Sequence, residues 1–246
     1  RLKLEGAAAL AISQSGQSPD IIAMLESART AGATTIAVTN NAASPLAAAA
    51  NQVIDIVAGT ERSVAATKTF VTSAVAGLAL IADWTGDAEL LKVLDALPEG
   101  LDRALECDWS PLVETMVPAS SLFVLGRGPG SAIASEAALK FKETSGVHAE
   151  AYSSAEVLHG PAALVNKGFP VLVLCSGDTA RASVLETSAR LAGQGGAVFV
   201  TDPEPVAGTS LPSVRTGHML TDPISLAVSF YSFIETLSLR RGHNPD

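Results

Sequence analysis

The chain has 246 residues and a formal net charge of −9, with 48% hydrophobic and 17% charged residues. The acidic balance, without any run of Lys and Arg, excludes an ordinary nucleic-acid-binding surface. Two cysteines are too few for a disulfide framework and the longest apolar stretch, residues 74–82, is too short to span a bilayer, so we expect a cytoplasmic globular protein that binds neither nucleic acid nor membrane.

The first half of the chain predicts alternating strands and helices. Short apolar runs indicate strands, and longer segments with helical spacing indicate helices. In chain order the predicted elements are a strand at 8–12, a helix at 18–31, strands at 35–39 and 53–57, and helices at 63–84 and 88–105.

The second half repeats this alternation. Its predicted elements are a strand at 122–125, a helix at 131–144, a strand at 171–174, a helix at 179–191, a strand at 197–200 and a helix at 223–240. Strands and helices in regular alternation predict an α/β fold, in which a parallel sheet is covered by helices on both faces.

An internal repeat links the two halves. Residues 10–32 align without a gap with residues 171–193, and the Ser15-Gly16 pair matches Ser176-Gly177. The turn that follows is one residue longer in the second copy. We therefore expect two related domains, 1–117 and 118–246. The second copy has a strand and a helix before its Ser-Gly turn and the first has almost nothing there. The first domain is thus expected to lack its opening βα unit, as part of a longer protein.

The first Ser-Gly turn predicts an anion site. It lies between a buried strand and a helix, and it contains Ser13, Gln14, Ser15 and Ser18. Gly16 lets the backbone approach a ligand closely. Hydroxyls beside the positive end of a helix match the needs of a phosphate monoester, whereas helix capping alone would require one serine. We call these four polar residues the phosphate cradle.

The second Ser-Gly turn is expected to have lost this role. Leu174 and Cys175 stand where the first copy has Ser13 and Gln14. Cys175 is predicted to be a small buried residue of the core.

One helix predicts acid–base chemistry. Glu136, Lys140 and Glu143 are spaced i, i+4 and i+7, so they share one helix face. A solvated salt-bridging face is the alternative. The segment after this helix, interpreted as a loop, is dense in ionisable residues: His148, Glu150, Glu156 and His159. We expect His148 to have a packing role, and no histidine has a convincing set of metal partners, so no metal is predicted.

Several motifs together resemble one family. The segments are 12–20, 59–61, 64–68, 125–128, 136–140, 142–143, 148–152, Glu156 with 159–161, and 242–246. They resemble the SIS (sugar isomerase) domain family, and closely the double-SIS isomerase module of glucosamine-6-phosphate synthase. The resemblance covers essentially the whole chain. It implies two tandem SIS domains, each a flavodoxin-like three-layer sandwich.

The resemblance also implies roles for individual residues and a homodimer with shared active sites. No cofactor is implied. The resemblance implies that Glu143 is the proton-shuttling base and that His159 is the ring-opening acid/base, which reaches the site from the neighbouring subunit. It implies that Lys140 polarises a sugar oxygen and that Glu136 positions Lys140. The implied phosphate ligands are the cradle residues Ser13, Gln14, Ser15 and Ser18, with the backbone of Val64 and Ala65 near the sugar.

The implied function is isomerisation of a hexose or hexosamine 6-phosphate. Because no glutaminase domain precedes the repeats, we expect an aminosugar-phosphate deaminase/isomerase, with a plain phosphosugar isomerase as the close alternative. The family's lysine near the C-terminus lies beyond this chain. A non-catalytic sugar-phosphate sensor is the alternative from another class, since it would need the phosphate cradle but neither Glu143 nor His159.

Overall fold

The computed structural model describes residues 2–245. The chain divides into two compact units, Arg1–Asp87 and Ala88–Asp246. The helices over 88–116 belong to the second unit, and the domain boundary expected after residue 117 stays a prediction. Arg1 and Asp246, the ends of the two predicted domains, lie outside the described residues, so Asp246 of the C-terminal motif is not described.

The first unit is built on a three-stranded parallel sheet. Its order is β1-β2-β3. Small and branched apolar residues supply its core, with Leu25, Ala37 and Leu46 buried at the centre. The elements are β1 (Ala8–Ser13), α1 (Pro19–Thr30), β2 (Thr34–Thr39), α2 (Pro45–Ala49), β3 (Gln52–Asp55) and α3 (Lys68–Thr85).

The second unit is built on a five-stranded parallel sheet. The strand order is β5-β4-β6-β7-β8. Two short 3-10 turns, Glu156–His159 and Pro161–Leu164, follow β5. The strands are β4 (Ser121–Gly126), β5 (His148–Ser153), β6 (Pro170–Val173), β7 (Ala197–Val200) and β8 (Thr209–Ser210), and the helices are α4 (Ala88–Leu105), α5 (Ser110–Met116), α6 (Gly130–Ser145), α7 (Arg181–Gly193) and α8 (Asp222–Arg240).

Helices α6 and α8 pack through aromatic side chains. Phe141 of α6 and Phe230 of α8 are fully buried, and their ring centroids lie 5.4 Å apart in an edge-on arrangement. Phe233 adds a second contact with Phe141 at 5.8 Å. Burial of three aromatic rings holds the two helices in a fixed register, because each ring buries a large apolar area.

The strand pairing confirms the internal repeat. In the first unit Leu10 of β1 pairs with Ile36 of β2, and in the second unit Val171 of β6 pairs with Val198 of β7. The second interval is longer by one residue, as the alignment predicted. The two strands differ in burial: β6 lies between β4 and β7 and is buried throughout, whereas β1 is an edge strand within residues 2–87, and Leu10 is 46% exposed.

Two predicted segments differ in the structure. The helix expected from residue 63 begins at Lys68, because the Glu61 carboxylate accepts hydrogen bonds from the backbone and hydroxyl of Thr69 and so fixes the helix start there. The segment expected as a loop after α6 forms β5, which is held by its pairing with β4. None of the helices within residues 2–245 is long and apolar enough to cross a membrane.

Candidate active site

The turn after β1 contains two serines that bond to their own backbone. Ser13 ends β1, and its Oγ accepts a 3.2 Å hydrogen bond from the Gly16 N–H. The Gln17 N–H donates to Ser15 Oγ over 3.3 Å. Each hydroxyl oxygen therefore accepts from the turn and can still donate its proton to a phosphate oxygen.

Gly16 fixes the shape of this turn. Its φ of +62° is in the left-handed region, and an added Cβ would collide with Ser44 Oγ at the start of α2. The Leu46 N–H also donates to the Gly16 carbonyl over 3.1 Å. Only glycine allows both the backbone angle and this close approach. The cradle is thus held rigidly by α2.

Ser18 stands at the N-terminus of α1, with Pro19 in the first turn. Its backbone carbonyl accepts from the Ile22 N–H over 3.1 Å, but its side chain makes no capping hydrogen bond. Ser18 is thus the N-cap residue of α1 by position, without a side-chain hydrogen bond to the helix. The hydroxyl remains at the positive end of a 12-residue helix, where an anion is stabilised.

Asn40 connects the phosphate cradle to residues 58–59, where one of the segments that resemble the SIS family begins. Its backbone N–H and the Thr39 hydroxyl both donate to the Gln14 carbonyl, over 3.1 and 3.3 Å. Its side chain accepts from the Ala58 N–H over 2.8 Å and donates to the Gly59 carbonyl over 2.6 Å. Sequence reasoning missed Asn40. Its position could have indicated its importance, because it directly follows β2 and open parallel sheets bind ligands at the carboxyl ends of their strands.

Val64 and Ala65 lie in the loop before α3. Val64 is 94% exposed and Ala65 is 7% exposed. Glu61 joins this loop to α3, because its carboxylate accepts a 2.9 Å hydrogen bond from the Thr69 N–H. The side chain of Val64 faces solvent, which leaves the expected contact with a sugar to the backbone.

The three charged residues of α6 form one cluster, as their spacing predicted. Lys140 Nζ lies 2.8 Å from Glu143 Oε2 and 3.3 Å from Glu136 Oε1. The exposed fractions of the side chains are 6% for Lys140, 9% for Glu136 and 34% for Glu143. A solvated salt-bridging face would leave all three exposed. Here a buried ammonium lies between two carboxylates, and only Glu143 is open to a ligand.

A tyrosine from α8 completes this cluster. The Tyr231 hydroxyl donates to Glu136 Oε1 over 2.8 Å. No sequence motif predicted this contact, since the two residues are 95 positions apart. The arrangement can accept a proton at Glu143 and supply positive charge at Lys140, which are two requirements of carbon-acid chemistry.

Neither His148 nor His159 has a hydrogen bond or ion pair with the α6 cluster within residues 2–245. His159 is exposed on a 3-10 turn before Gly160, and within residues 2–245 no hydrogen bond or ion pair joins it to Glu136 or Glu143. His148 is 68% exposed, with its Nε2 3.9 Å from Glu150 Oε1. The expected packing role of His148 is therefore wrong, because β5 is an edge strand that turns this side chain to solvent.

The second Ser-Gly turn already holds a carboxylate. The Gly177 N–H, the counterpart of Gly16, donates to Asp222 Oδ2 over 3.1 Å. The Thr216 N–H and hydroxyl hold the other carboxylate oxygen at 2.7 and 2.9 Å. An added Cβ on Gly177 would lie 2.9 Å from Asp222. The second copy thus bonds an anion of its own chain at the position that corresponds to the cradle.

A cavity of ≈ 290 Å³ lies beside this turn and is lined by charged residues. Asp202 is fully buried there and pairs with Arg181 over two 2.7 Å hydrogen bonds and with Arg215 at 3.4 Å. The Arg181 hydrogen bond lowers the pKa of Asp202. Burial raises the pKa of Cys175 to about 11, and the thiol is inaccessible as predicted. Arg181 and Arg215 are thus paired with carboxylates of the same chain, those of Asp202 and Asp222.

The structure therefore groups the predicted residues in two sets. The cradle residues and the loop of Val64 belong to the unit Arg1–Asp87. The Glu136, Lys140 and Glu143 cluster belongs to the unit Ala88–Asp246.

Comparison with known proteins matches both units to the same family. The SIS domain model matches residues 5–82 and 115–240. Glutamine–fructose-6-phosphate aminotransferase (isomerizing) from Aeropyrum pernix is 34% identical over 257 aligned residues, which cover 96% of this chain. They cover 41% of that relative, so this chain spans less than half of its length.

Solved structures show the same fold. A candidate phosphosugar isomerase from Silicibacter pomeroyi DSS-3 superposes with a TM-score of 0.96 at 53% identity, over 100% of this chain and 75% of that one. The C-terminal domain of glucosamine-fructose-6-phosphate aminotransferase from Francisella tularensis gives a TM-score of 0.85 at 25% identity, over 100% and 75% of the two chains. With two family matches, a gapless internal repeat and two parallel sheets flanked by helices, the chain belongs to the SIS domain family.

Proposed function

We propose that the protein is a phosphosugar aldose–ketose isomerase whose substrate is a hexose or hexosamine 6-phosphate. The observation that supports this most is the buried Lys140 ammonium between Glu136 and the accessible Glu143. Isomerisation requires one base that removes a proton from C2 of the aldose and returns it to C1, together with a cation that stabilises the enediolate oxygen.

Each group has a place in this reaction. The Glu143 carboxylate takes the C2 proton, and the Lys140 ammonium donates a hydrogen bond to the oxygen that gains negative charge. The Ser13, Ser15 and Ser18 hydroxyls donate to the phosphate oxygens at the start of α1. The fructose 6-phosphate in the names of the aminotransferase relatives supports a substrate of this size and charge.

A homodimer is part of this proposal. Ring opening requires an acid/base, and His159 is the histidine in the matching family motif. It is exposed, and among the described residues no hydrogen bond or ion pair joins it to Glu136 or Glu143 of its own chain. A role of His159 in the active site of a second subunit would explain both its exposure and the absence of a bond to Glu136 or Glu143 of its own chain.

The finer proposal is deamination: glucosamine 6-phosphate and water give fructose 6-phosphate and ammonia. The test is to incubate the protein with glucosamine 6-phosphate and to measure both products. The catalytic variant is Glu143→Gln, and the matched control is Glu186→Gln, which alters an exposed carboxylate on α7.

Three outcomes separate the possibilities. Equal release of both products, lost in Glu143→Gln and kept in Glu186→Gln, supports the deaminase/isomerase. Interconversion of fructose 6-phosphate and an aldose phosphate without ammonia supports the plain isomerase. No turnover of either substrate, with a melting temperature that still rises on adding sugar phosphate, contradicts catalysis and leaves a binding protein.

A further inference from the structure

The Tyr231 hydroxyl and the Lys140 ammonium contact the same carboxylate oxygen. Tyr231 donates to Glu136 Oε1 over 2.8 Å, and Lys140 Nζ lies 3.3 Å from that atom. Lys140 makes its shorter contact, 2.8 Å, with Glu143 Oε2. The Lys140 ammonium therefore lies closer to Glu143 than to Glu136. Tyr231 bonds the more distant of the two carboxylates, that of Glu136.

Helix packing sets the position of this hydroxyl. Tyr231 follows Phe230, which is fully buried against Phe141 of α6. Ser238 Oγ, two turns further along α8, donates to the Thr144 carbonyl near the end of α6 over 2.7 Å. With α8 fixed on α6 at both places, the tyrosine hydroxyl is presented to Glu136 without further ordering.

A carboxylate that accepts a strong hydrogen bond from a tyrosine has less need of a second donor. In a buried place with one cation, the two carboxylates compete for it. The Tyr231 hydroxyl supplies one of the hydrogen bonds that the Glu136 carboxylate needs. The Lys140 ammonium can therefore lie closer to Glu143. We propose that Tyr231 is a positioning residue that holds Lys140 beside Glu143. This inference rests on the proposed function, in which Glu143 is the base.

The kinetic test uses the two tyrosines of the chain as a matched pair. Tyr231→Phe removes the hydroxyl and keeps the ring, so Lys140 moves towards Glu136. We expect kcat on the order of tenfold lower, as for the loss of one charged hydrogen bond, with KM changed less than about twofold. Tyr152→Phe is the control, because its hydroxyl bonds Glu150 over 2.7 Å and not the cluster. It should leave both constants unchanged.

A double variant separates positioning from general damage to the fold. With Glu136→Gln the charged competitor is gone, so adding Tyr231→Phe should lower kcat little further. An additional tenfold loss in the double variant would show that Tyr231 acts independently of Glu136 and would overturn the proposal. So would a Tyr231→Phe protein with the same kcat as Tyr152→Phe.

A measurement without turnover distinguishes this inference from the proposed function. In protein labelled with ¹³C at tyrosine Cζ, the Tyr152→Phe background leaves only the Tyr231 signal, because the chain has two tyrosines. Glu136→Gln should shift this signal, and Glu150→Gln should not. An unshifted signal overturns the inference even in an active enzyme. A wild type without any sugar-phosphate turnover contradicts the proposed function instead, while the signal still reports whether Tyr231 holds Glu136.

Discussion

Asp222 Oδ2 accepts a 3.1 Å hydrogen bond from the Gly177 N–H, so the second copy of the Ser-Gly turn is bonded to a carboxylate of its own chain. The corresponding backbone N–H in the first copy, that of Gly16, donates to the Ser13 hydroxyl instead. Duplication thus produced two turns with different partners. The first turn retains the hydroxyls that we propose bind an external anion, whereas the second is bonded to a carboxylate of its own chain.

Sugar phosphate should therefore bind at one cradle per chain. Ser15→Ala removes a donor to the phosphate and should weaken binding of fructose 6-phosphate by about tenfold, the effect of one charged hydrogen bond. Ser176→Ala is the matched change in the second copy, where the Ser176 hydroxyl is buried without a partner among the described residues. Calorimetry should find one site per chain and no effect of Ser176→Ala; two sites, or equal effects, would contradict this assignment.

Gly16→Ala should damage the first turn beyond the strain of its backbone angle. The new methyl group would collide with Ser44, and overpacking of this kind costs about 1–3 kcal/mol in addition to roughly 1 kcal/mol for the left-handed angle. Gly6→Ala is the control, since Gly6 has φ of +79° and nothing within 4 Å of an added Cβ. Chemical denaturation compares the two. Equal losses would show that Ser44 does not constrain the turn.

Asp202→Asn should lower the free energy of unfolding by about 3 kcal/mol, because it replaces a fully buried carboxylate that pairs with Arg181 and Arg215 by a neutral group. Glu114→Gln breaks the exposed pair with Arg240 and should have no measurable effect. The pKa of Asp202 is lowered by Arg181, so its stabilisation is present above about pH 4 and is lost as the pH falls further. Urea unfolding at several pH values should show a smaller acid loss in Asp202→Asn.

The two cysteines should differ in reactivity. Cys175 is fully buried and its pKa is raised to about 11, mainly by burial, so at pH 8 roughly one thiol in a thousand is ionised. Cys107 is partly exposed. A thiol reagent at pH 8 should modify one cysteine in the folded protein and both after unfolding. Rapid modification of both in the native state would contradict the buried environment of Cys175.

Much of the fold followed from local patterns. The gapless match of residues 10–32 with 171–193 predicted the duplicated βαβ units, and the i, i+4, i+7 spacing predicted the α6 cluster. Both patterns are properties of neighbouring residues in sequence. The strand β5 did not follow, since Ala149, Glu150 and Ala151 are weak strand formers and the strand is held by its pairing with β4.

The long-range contacts of the site could not be predicted in this way. Tyr231 reaches Glu136 from 95 residues away, and Asp222 reaches Gly177 from 45 residues away. Each contact depends on how a late helix packs on earlier elements. One sequence contains no spacing rule for such a contact, so only the folded chain reveals it.

The most direct test of the central claim follows fructose 6-phosphate by ¹H NMR, with and without ammonium, in the presence of wild type or Glu143→Gln. We expect wild type to form an aldose or 2-amino-aldose phosphate. Glu143→Gln should form it about 10²- to 10⁴-fold more slowly, as for loss of a general base, while binding fructose 6-phosphate equally well. Equal rates in the two proteins, or binding by wild type without any conversion, would contradict the role of Glu143 as the proton-transferring base.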